Sequence, residues 1–420
     1  MSRAERARKN EEDRLTRARR WGCGLLILAF TCQAAATDTL IFLSTKALLT
    51  TRQAIQNQQA SPRTQQAWQQ LKQQADKALK QPDPSVMDKG LVPPSGSRHD
   101  YLSLSAYWWP DARQKTGLPW SRRDGEVNPD TKNNQTDGLR FARFSADVQA
   151  LTLAWFFSGD VRYASKAQSM IRHWFIDPAS RMNPNLNFAQ GVPGISTGRH
   201  DGVLDGRYFA TRIVDALILL RQSPGWRAGD EAALQRWFHD YLTWLQTSKL
   251  ARQERHAANN HGSWYCVQVA GIDAYLHNDA VMRDMMALAK TKIDGQIARD
   301  GTQPLELART RSFHYSFFNL QALTAIAALS SQRGGDDLWH YSGKQGGSLL
   351  AALDYMAPFS DSARRWPWKT RDRNSGRVIP LLMLADNALG SARYQSWIDR
   401  FDWREATEDV LREGALLRQE

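Results

Sequence analysis

Cysteine is scarce in this 420-residue chain, with three residues, Cys23, Cys32 and Cys266. The first two fall in a stretch that reads as a leader, so the remainder keeps Cys266 alone. An intrachain disulfide and a cysteine-based metal site are thereby excluded from the mature part. No clustered histidines take their place, and the sequence implies no metal and no other cofactor. The regular strand-and-turn spacing of a β domain is missing. So is any Lys/Arg-rich run or nucleic-acid motif in the mature part, which argues against nucleic acid as a partner. The apolar segment Gly22 to Phe30 is too short to span a bilayer comfortably.

What is present begins with that leader. A basic stretch ends at Arg20, Gly22 to Phe30 follows, and Ala34-Ala35-Ala36 offers a small-residue cleavage site. This is the anatomy of a secretory signal peptide, with an n-region longer than usual. Residues 1–36 therefore read as a signal peptide and 37–420 as one domain. A periplasmic or secreted protein is expected, without stable membrane insertion once the leader is removed. The formal charge is +12, of which the leader carries eight basic against four acidic residues. About +8 remains, enough to attract an acidic partner, and an acidic polysaccharide is one candidate. The 16 Trp and 11 Tyr fit that partner, since exposed rings stack on sugar faces, but large rings also fill cores.

Beyond the leader, residues 37–60 read as a short helix and a Gln/Thr-rich connector, and Ala67 to Leu79 as a helix. From Gln81 to about Gly138 seven prolines break any long helix, and clustered aromatics argue that this loop is ordered. Helices are then expected over Phe141–Phe157, Val161–Phe175, Gly206–Leu220, Glu231–Leu245, Trp264–Leu276, Ala280–Arg299, Ser312–Leu329, Gly347–Tyr355 and Val378–Ala388. Breakers such as Ser158-Gly159-Asp160 and Pro224-Gly225 separate them. The expected fold is all-α, an (α/α) toroid or barrel of paired helices whose irregular loops line a cleft. The sequence sets no oligomeric state.

Four stretches carry chemistry-bearing side chains. In Asn259-Asn260-His261-Gly262-Ser263-Trp264-Tyr265, either asparagine suits a helix N-cap. His261, Tyr265 and Gln268 then share one helical stripe, an odd surface for simple packing and a candidate wall of a polar cleft. Ordinary capping is the competing reading. In Glu306-Leu307-Ala308-Arg309-Thr310-Arg311-Ser312-Phe313-His314-Tyr315, two arginines precede a helix apolar nearly all round. A Tyr and a His at the start of such a helix need partners, although Tyr315 also suits a core tyrosine with a bonded hydroxyl. Gly198-Arg199-His200-Asp201-Gly202 is a charged loop or a plain turn. Trp366-Pro367-Trp368-Lys369, followed by Arg371 and Arg373, alternates rings and cations, as a surface turn also can.

Taken with Tyr107-Trp108-Trp109-Pro110 and Arg122-Arg123-Asp124-Gly125-Glu126-Val127-Asn128-Pro129, these blocks resemble the alginate lyase family, the helical-toroid polysaccharide lyases that include bacterial mannuronate lyases. The resemblance spans about Tyr101 to Ala388. It implies cleavage of a 4-linked uronic acid polymer, mannuronan or glucuronan, by β-elimination. Asn260 and His261, with Arg309, would neutralise the sugar carboxylate in the manner of an oxyanion hole. Tyr315 would remove the C5 proton and return one to O4, its phenolate favoured by Arg309 or Arg311. Tyr107, Trp108, Trp109, Arg199, His200, Arg311, His314, Trp366, Trp368 and Lys369 would bind the polymer. The Arg-to-Tyr spacing departs from the mannuronate lyases, with Arg309 six and Arg311 four residues before Tyr315, so either arginine could serve the carboxylate. Two rival readings stand beside this one. A helical-toroid glycoside hydrolase would draw two carboxylates from Asp124, Glu126, Asp201 or Asp205, and a non-catalytic protein would only bind acidic glycans.

Overall fold

The computed structural model describes residues 39–418; the leader and its two cysteines lie outside the described residues. Local sequence explains where most helices start. Ser44 accepts a hydrogen bond from the Ala47 N–H at the head of α1 (Thr45–Gln56). Ser61 does the same for α2 (Pro62–Leu79), with proline at the position where its missing N–H costs nothing. Gly159, at φ 76°, ends α3 (Gly138–Ser158), and Asp160 caps α4 (Val161–Ile171). The breaker Ser158-Gly159-Asp160 is thus a C-cap and an N-cap back to back.

The expected single helices Val161–Phe175 and Gly206–Leu220 are each composite. The first passes into a π turn over Arg172–Ile176. The second is a 3-10 stretch (His200–Gly206), a π turn (Phe209–Ile213) and then α5 (Val214–Leu220). There follow α6 (Ala228–Thr247), α7 (Lys249–Arg255), α8 (Asn260–Leu276), α9 (Asp279–Gln296), α10 (Pro304–Leu307) and α11 (Ser312–Gln332). The chain continues with α12 (Leu349–Met356), α13 (Ile379–Leu389), α14 (Gln395–Arg400), α15 (Glu408–Arg412) and a last π turn, Glu413–Leu417. The sequence did not announce α7, α14 or α15, which are five to seven residues long.

The inner helices form a closed ring. α3 packs on the Phe209–Ile213 turn, that turn on α8, α8 on α11, α11 on α13, and α13 on the Glu413–Leu417 turn. This last turn packs on α1 and α2, and α2 returns to α3. A buried bond from the Thr51 hydroxyl to the Leu416 carbonyl (3.0 Å) fastens the closure. Helices inside such a ring have neighbours on every side. In agreement, α8 buries every residue from Gly262 to Tyr275 and α11 has no polar face. At Gly271 an added Cβ would stand 2.5 Å from the Phe42 ring, so only glycine lets the N-terminal strap cross α8 so closely.

That strap is held by one acid. The buried Asp215 accepts backbone N–H bonds from Ile41 (2.6 Å), Phe42 (2.9 Å) and Leu43 (2.9 Å). Asp215→Ala orphans three buried donors and is expected to cost about 3 kcal/mol, read as a lower urea midpoint at unchanged slope.

Regular sheet is minimal among the described residues. β1 (Leu102–Leu104) pairs parallel with β4 (Phe188–Gly191). β2 (Trp108–Trp109) pairs antiparallel with β3 (Ser121–Arg122), Trp108 opposite Arg122. The proline-rich stretch is therefore ordered, as its aromatics suggested. Its loop carries Asp124 to the head of α11.

Candidate active site

Asn259, not Asn260, caps α8: its Oδ1 accepts from the His261 N–H at 3.3 Å. This frees Asn260 to face α10. Its backbone N–H donates to Glu306 Oε1 (2.7 Å), and its amide nitrogen lies 3.0 and 2.8 Å from the two Glu306 oxygens. A carboxylate only accepts, so the amide turns its nitrogen there, and Asn260 Oδ1 is left buried without a partner. Burial pushes the Glu306 carboxyl up, opposed by Asn260, then Arg309 and His261. The bonds from Asn260 to Glu306 show that α8 and α10 meet here.

His261 donates through Nδ1 to Glu254 Oε1 (2.6 Å), and His200 does the same to Glu254 Oε2 (2.8 Å). One buried carboxylate on α7 therefore holds two imidazoles, whose ring centres are 6.4 Å apart. Burial alone would lower the His261 pKa, but Glu254 and then Asp201 outweigh it and raise it. For His200 the bond to Glu254 is the main cause of a rise. His200, Asp201 and Glu254 also place one ligand atom each within 4.8 Å of one another, the arrangement among the described residues that could hold a cation. Both Glu254 oxygens are already engaged by the imidazoles.

Arg309 grips Asp124 with Nη2 at 2.6 Å, while the Thr310 backbone N–H and hydroxyl bond the other oxygen at 3.1 and 3.0 Å. Burial alone would raise Asp124; Arg309 and Thr310 instead hold it well below the usual carboxylate range. So anchored, the Arg309 guanidinium lies 3.9 Å from the centre of the Tyr315 ring. Tyr315 is 8% exposed and its hydroxyl bonds the Tyr107 hydroxyl at 2.8 Å. Arg311 reaches the same Tyr107 oxygen (3.2 Å) and is ion-paired with Asp372. Arg309 favours the phenolate, as expected of a nearby cation, but burial and then Tyr107 outweigh it and raise the Tyr315 pKa, so the resting side chain is a phenol.

The other expected residues divide. Arg199 is ion-paired with Asp201, bonds the Ser105 hydroxyl (3.2 Å) and stands 5.6 Å from the Trp108 ring, so both belong to the cleft wall beside His200. Trp109 donates to the Glu126 carbonyl and carries Arg123 over its ring at 5.0 Å. His314 is pushed down to about 4 by burial, then Arg311 and Arg377, and is a neutral group bonded to Arg377 (3.2 Å). Trp366 is not available to a ligand: it is buried against Phe313 and Phe359 and donates to the Ser312 hydroxyl. Trp368 is 44% exposed and Lys369 is exposed. The proposed polar stripe on α8 is also corrected. Tyr265 bonds the Leu245 carbonyl and Gln268 the Val203 carbonyl, both deep in the ring, so of that stripe only His261 reaches the cleft.

Sequence reasoning gave no role to Glu254 or Glu306 and offered Asp124 only to a hydrolase. Glu254 sits in an ordinary charged run, Arg252-Gln253-Glu254-Arg255, and nothing local marks it as buried. For hydrolysis, none of the four acids is free. Asp124 and Asp201 are paired with arginines, Glu126 with Arg371, and Asp205 accepts from Tyr101, Ser103 and Gln190. A glycosidase needs a pair of carboxyls directed at the scissile bond, and these four are directed at partners within the protein.

Comparison with known proteins places the family and the fold. Residues 85–366 match the family model described as alginate lyase. A crystal structure of an alginate lyase from Bacteroides ovatus is 32% identical with a TM-score of 0.83, covering 90% of this chain and 99% of that one. Alginate lyase A1-III from Sphingomonas species A1 shares the fold at 18% identity and a TM-score of 0.54, over 92% of this chain and 98% of that one. A variant of A1-III complexed with a tetrasaccharide superposes with a TM-score of 0.57 at 16% identity, over 91% and 98% of the two chains. No curated protein sequence matches.

Proposed function

This chain belongs to the alginate lyase family, and from that premise we propose that it is an exported lyase acting on 4-linked uronate polymers, mannuronan or glucuronan. It is a polysaccharide lyase. The observation that carries the finer reading is the stack of Arg309 on Tyr315, beside the Asn260–Glu306 and His261–Glu254 pairs.

β-Elimination has one hard step. The C5 proton of a uronate is very weakly acidic, and its loss spreads negative charge onto the adjacent carboxylate. His261, whose pKa Glu254 raises, and Arg309, fixed by Asp124, direct positive charge and N–H donors at that carboxylate. Asn260, expected beside them, is fully buried with its Nδ2 on both Glu306 oxygens, so it positions Glu306 and does not itself reach the sugar. Tyr315 takes the C5 proton, the C5–H pair becomes the C4=C5 bond, the C4–O4 bond breaks, and O4 takes a proton from the tyrosine. Before this, Tyr315 gives its own proton to the Tyr107 hydroxyl, 2.8 Å away, as Tyr107 passes its proton to solvent water, which leaves Tyr315 as the phenolate.

The test is incubation with polymannuronate and polyglucuronate. A rise in ultraviolet absorbance from the C4=C5 bond supports elimination, whereas new saturated reducing ends without absorbance would replace it with hydrolysis. Since the Tyr315 proton is held more tightly than in a free phenol, kcat/KM is expected to climb nearly tenfold per pH unit between about pH 6 and 8. The raised His261 pKa delays the opposing loss of positive charge. A flat profile over that range would remove Tyr315 as the base.

Export rests on the leader. N-terminal sequencing of material recovered outside the cytoplasm should begin just after Ala36. Among the described residues no helix is long and apolar enough to cross a membrane.

A further inference from the structure

The ring encloses a cavity of about 210 Å³ against the inner faces of α8, α11 and α13, walled at one end by residues 409–418. At about 30 Å³ per water molecule it holds about seven, the space of one sugar ring. Its charge is one-sided. Arg207, Arg212 and Arg377 all line it, and among the described residues none of them forms an ion pair. The two acids on the wall are already taken, Asp409 by Arg412 and Glu413 by Arg418.

The three guanidiniums are held but not satisfied. Arg207 bonds the Leu204 carbonyl (3.0 Å) and the Tyr208 hydroxyl (2.5 Å). Arg212 bonds the Ala142 carbonyl (3.3 Å) and the Ser145 hydroxyl (3.2 Å). Arg377 spends one nitrogen on His314. Each guanidinium has five N–H donors, so most of them remain for a ligand. Arg207 and Arg212 clamp the two sides of one ring, 4.0 and 4.1 Å from the centre of Tyr208. Arg212 sits within the Phe209–Ile213 π turn, and such local widening recurs at functional sites. Burial lowers the pKa of Arg212 and of Arg377, the mark of cations held away from water. Asp409 offsets part of this charge; the excess of positive charge in such a place is costly unless an anion arrives.

We propose that this cavity is a second anion site, taking the carboxylate of a single sugar-acid unit between Arg212, Arg377 and Arg207, with Trp264, Tyr208 and Phe318 as its apolar walls. The carboxylate follows from the arginines, whose planar forks match it; the sugar rests on the uronate reading above. The occupant is either the end unit of a bound chain that passes the catalytic group or a free uronate. The cavity adjoins the catalytic group through His314, which stacks on Phe318 and contacts Tyr315.

The test reads binding without turnover, so it stands apart from the lyase reading. Glucuronate monosaccharide is titrated into the wild-type protein and Tyr315→Phe by calorimetry, with glucose as the neutral control. Saturable glucuronate binding in both proteins, absent for glucose, is expected. Arg212→Gln and Arg377→Gln should each weaken it at least tenfold, and Arg212→Lys should restore part of it, which guards against a folding defect. No glucuronate binding, or equal binding by wild type and both Gln variants, overturns the proposal. In turnover assays, competitive inhibition by glucuronate identifies the chain end as occupant, and a fall in kcat at unchanged KM identifies the free sugar acid; either pattern supports the site.

Discussion

Tyr315→Phe is expected to lower the rate of unsaturated product formation by about 10³-fold or more, within the range that a positioned general acid–base contributes. The substitution removes one oxygen from the ring stacked under Arg309 and leaves that cation–ring contact and the bond of Arg309 to Asp124 in place. Tyr107 loses a hydrogen-bond partner but keeps Arg311. Stability should therefore fall by only about 1 kcal/mol, which thermal unfolding can verify, while KM for the polymer changes little because the phenol acts in the transition state. Retained turnover in a folded Tyr315→Phe protein would end the mechanism.

The second large effect is expected at His261. His261→Ala should reduce kcat by about 10²–10³-fold, the usual loss when one donor is taken from a site that stabilises developing negative charge. It also leaves Glu254 with His200 as its remaining imidazole partner. His200→Ala is the control, since it disturbs the same buried acid from the more exposed side. If His261 works by neutralising the sugar carboxylate, its loss should exceed that of His200→Ala by at least about tenfold. Equal losses in the two variants would mean that both histidines only settle Glu254. Steady-state rates with both polymers, beside a urea curve for each variant, separate these outcomes.

Much of the architecture could be read from the chain because helix punctuation is local. Gly159 with Asp160, Ser44, Ser61 and Asn259 do at each end what their side chains allow. The apolar character of α11 on nearly all sides agrees with its place in the inner ring, whereas α8 read as half polar and is buried just as fully. Residues whose meaning depends on distant partners could not be read so well. Asp124 and Arg309 are 185 positions apart, and nothing near either one announces the pair. Trp366 looked like a sugar platform until Phe313, Phe359 and Ser312 closed over it. Tyr265 and Gln268 have cleft-like chemistry but find carbonyl acceptors inside the ring, where the hydrogen bond and not the solvent satisfies them. The π turns escaped for a related reason: their register is set by packing around the ring.

The one thiol among the described residues gives this enzyme a built-in clock. Cys266 is fully buried on α8, and burial pushes its pKa up to about 12. A thiol in that state is inert to alkylating reagents until the inner ring opens. Labelling should therefore proceed at the pace of global unfolding instead of local breathing, and reducing agents should leave the melting temperature untouched. A ligand that tightens the ring would slow the labelling, which makes a single sulfur a gauge of occupancy for any sugar bound at the centre.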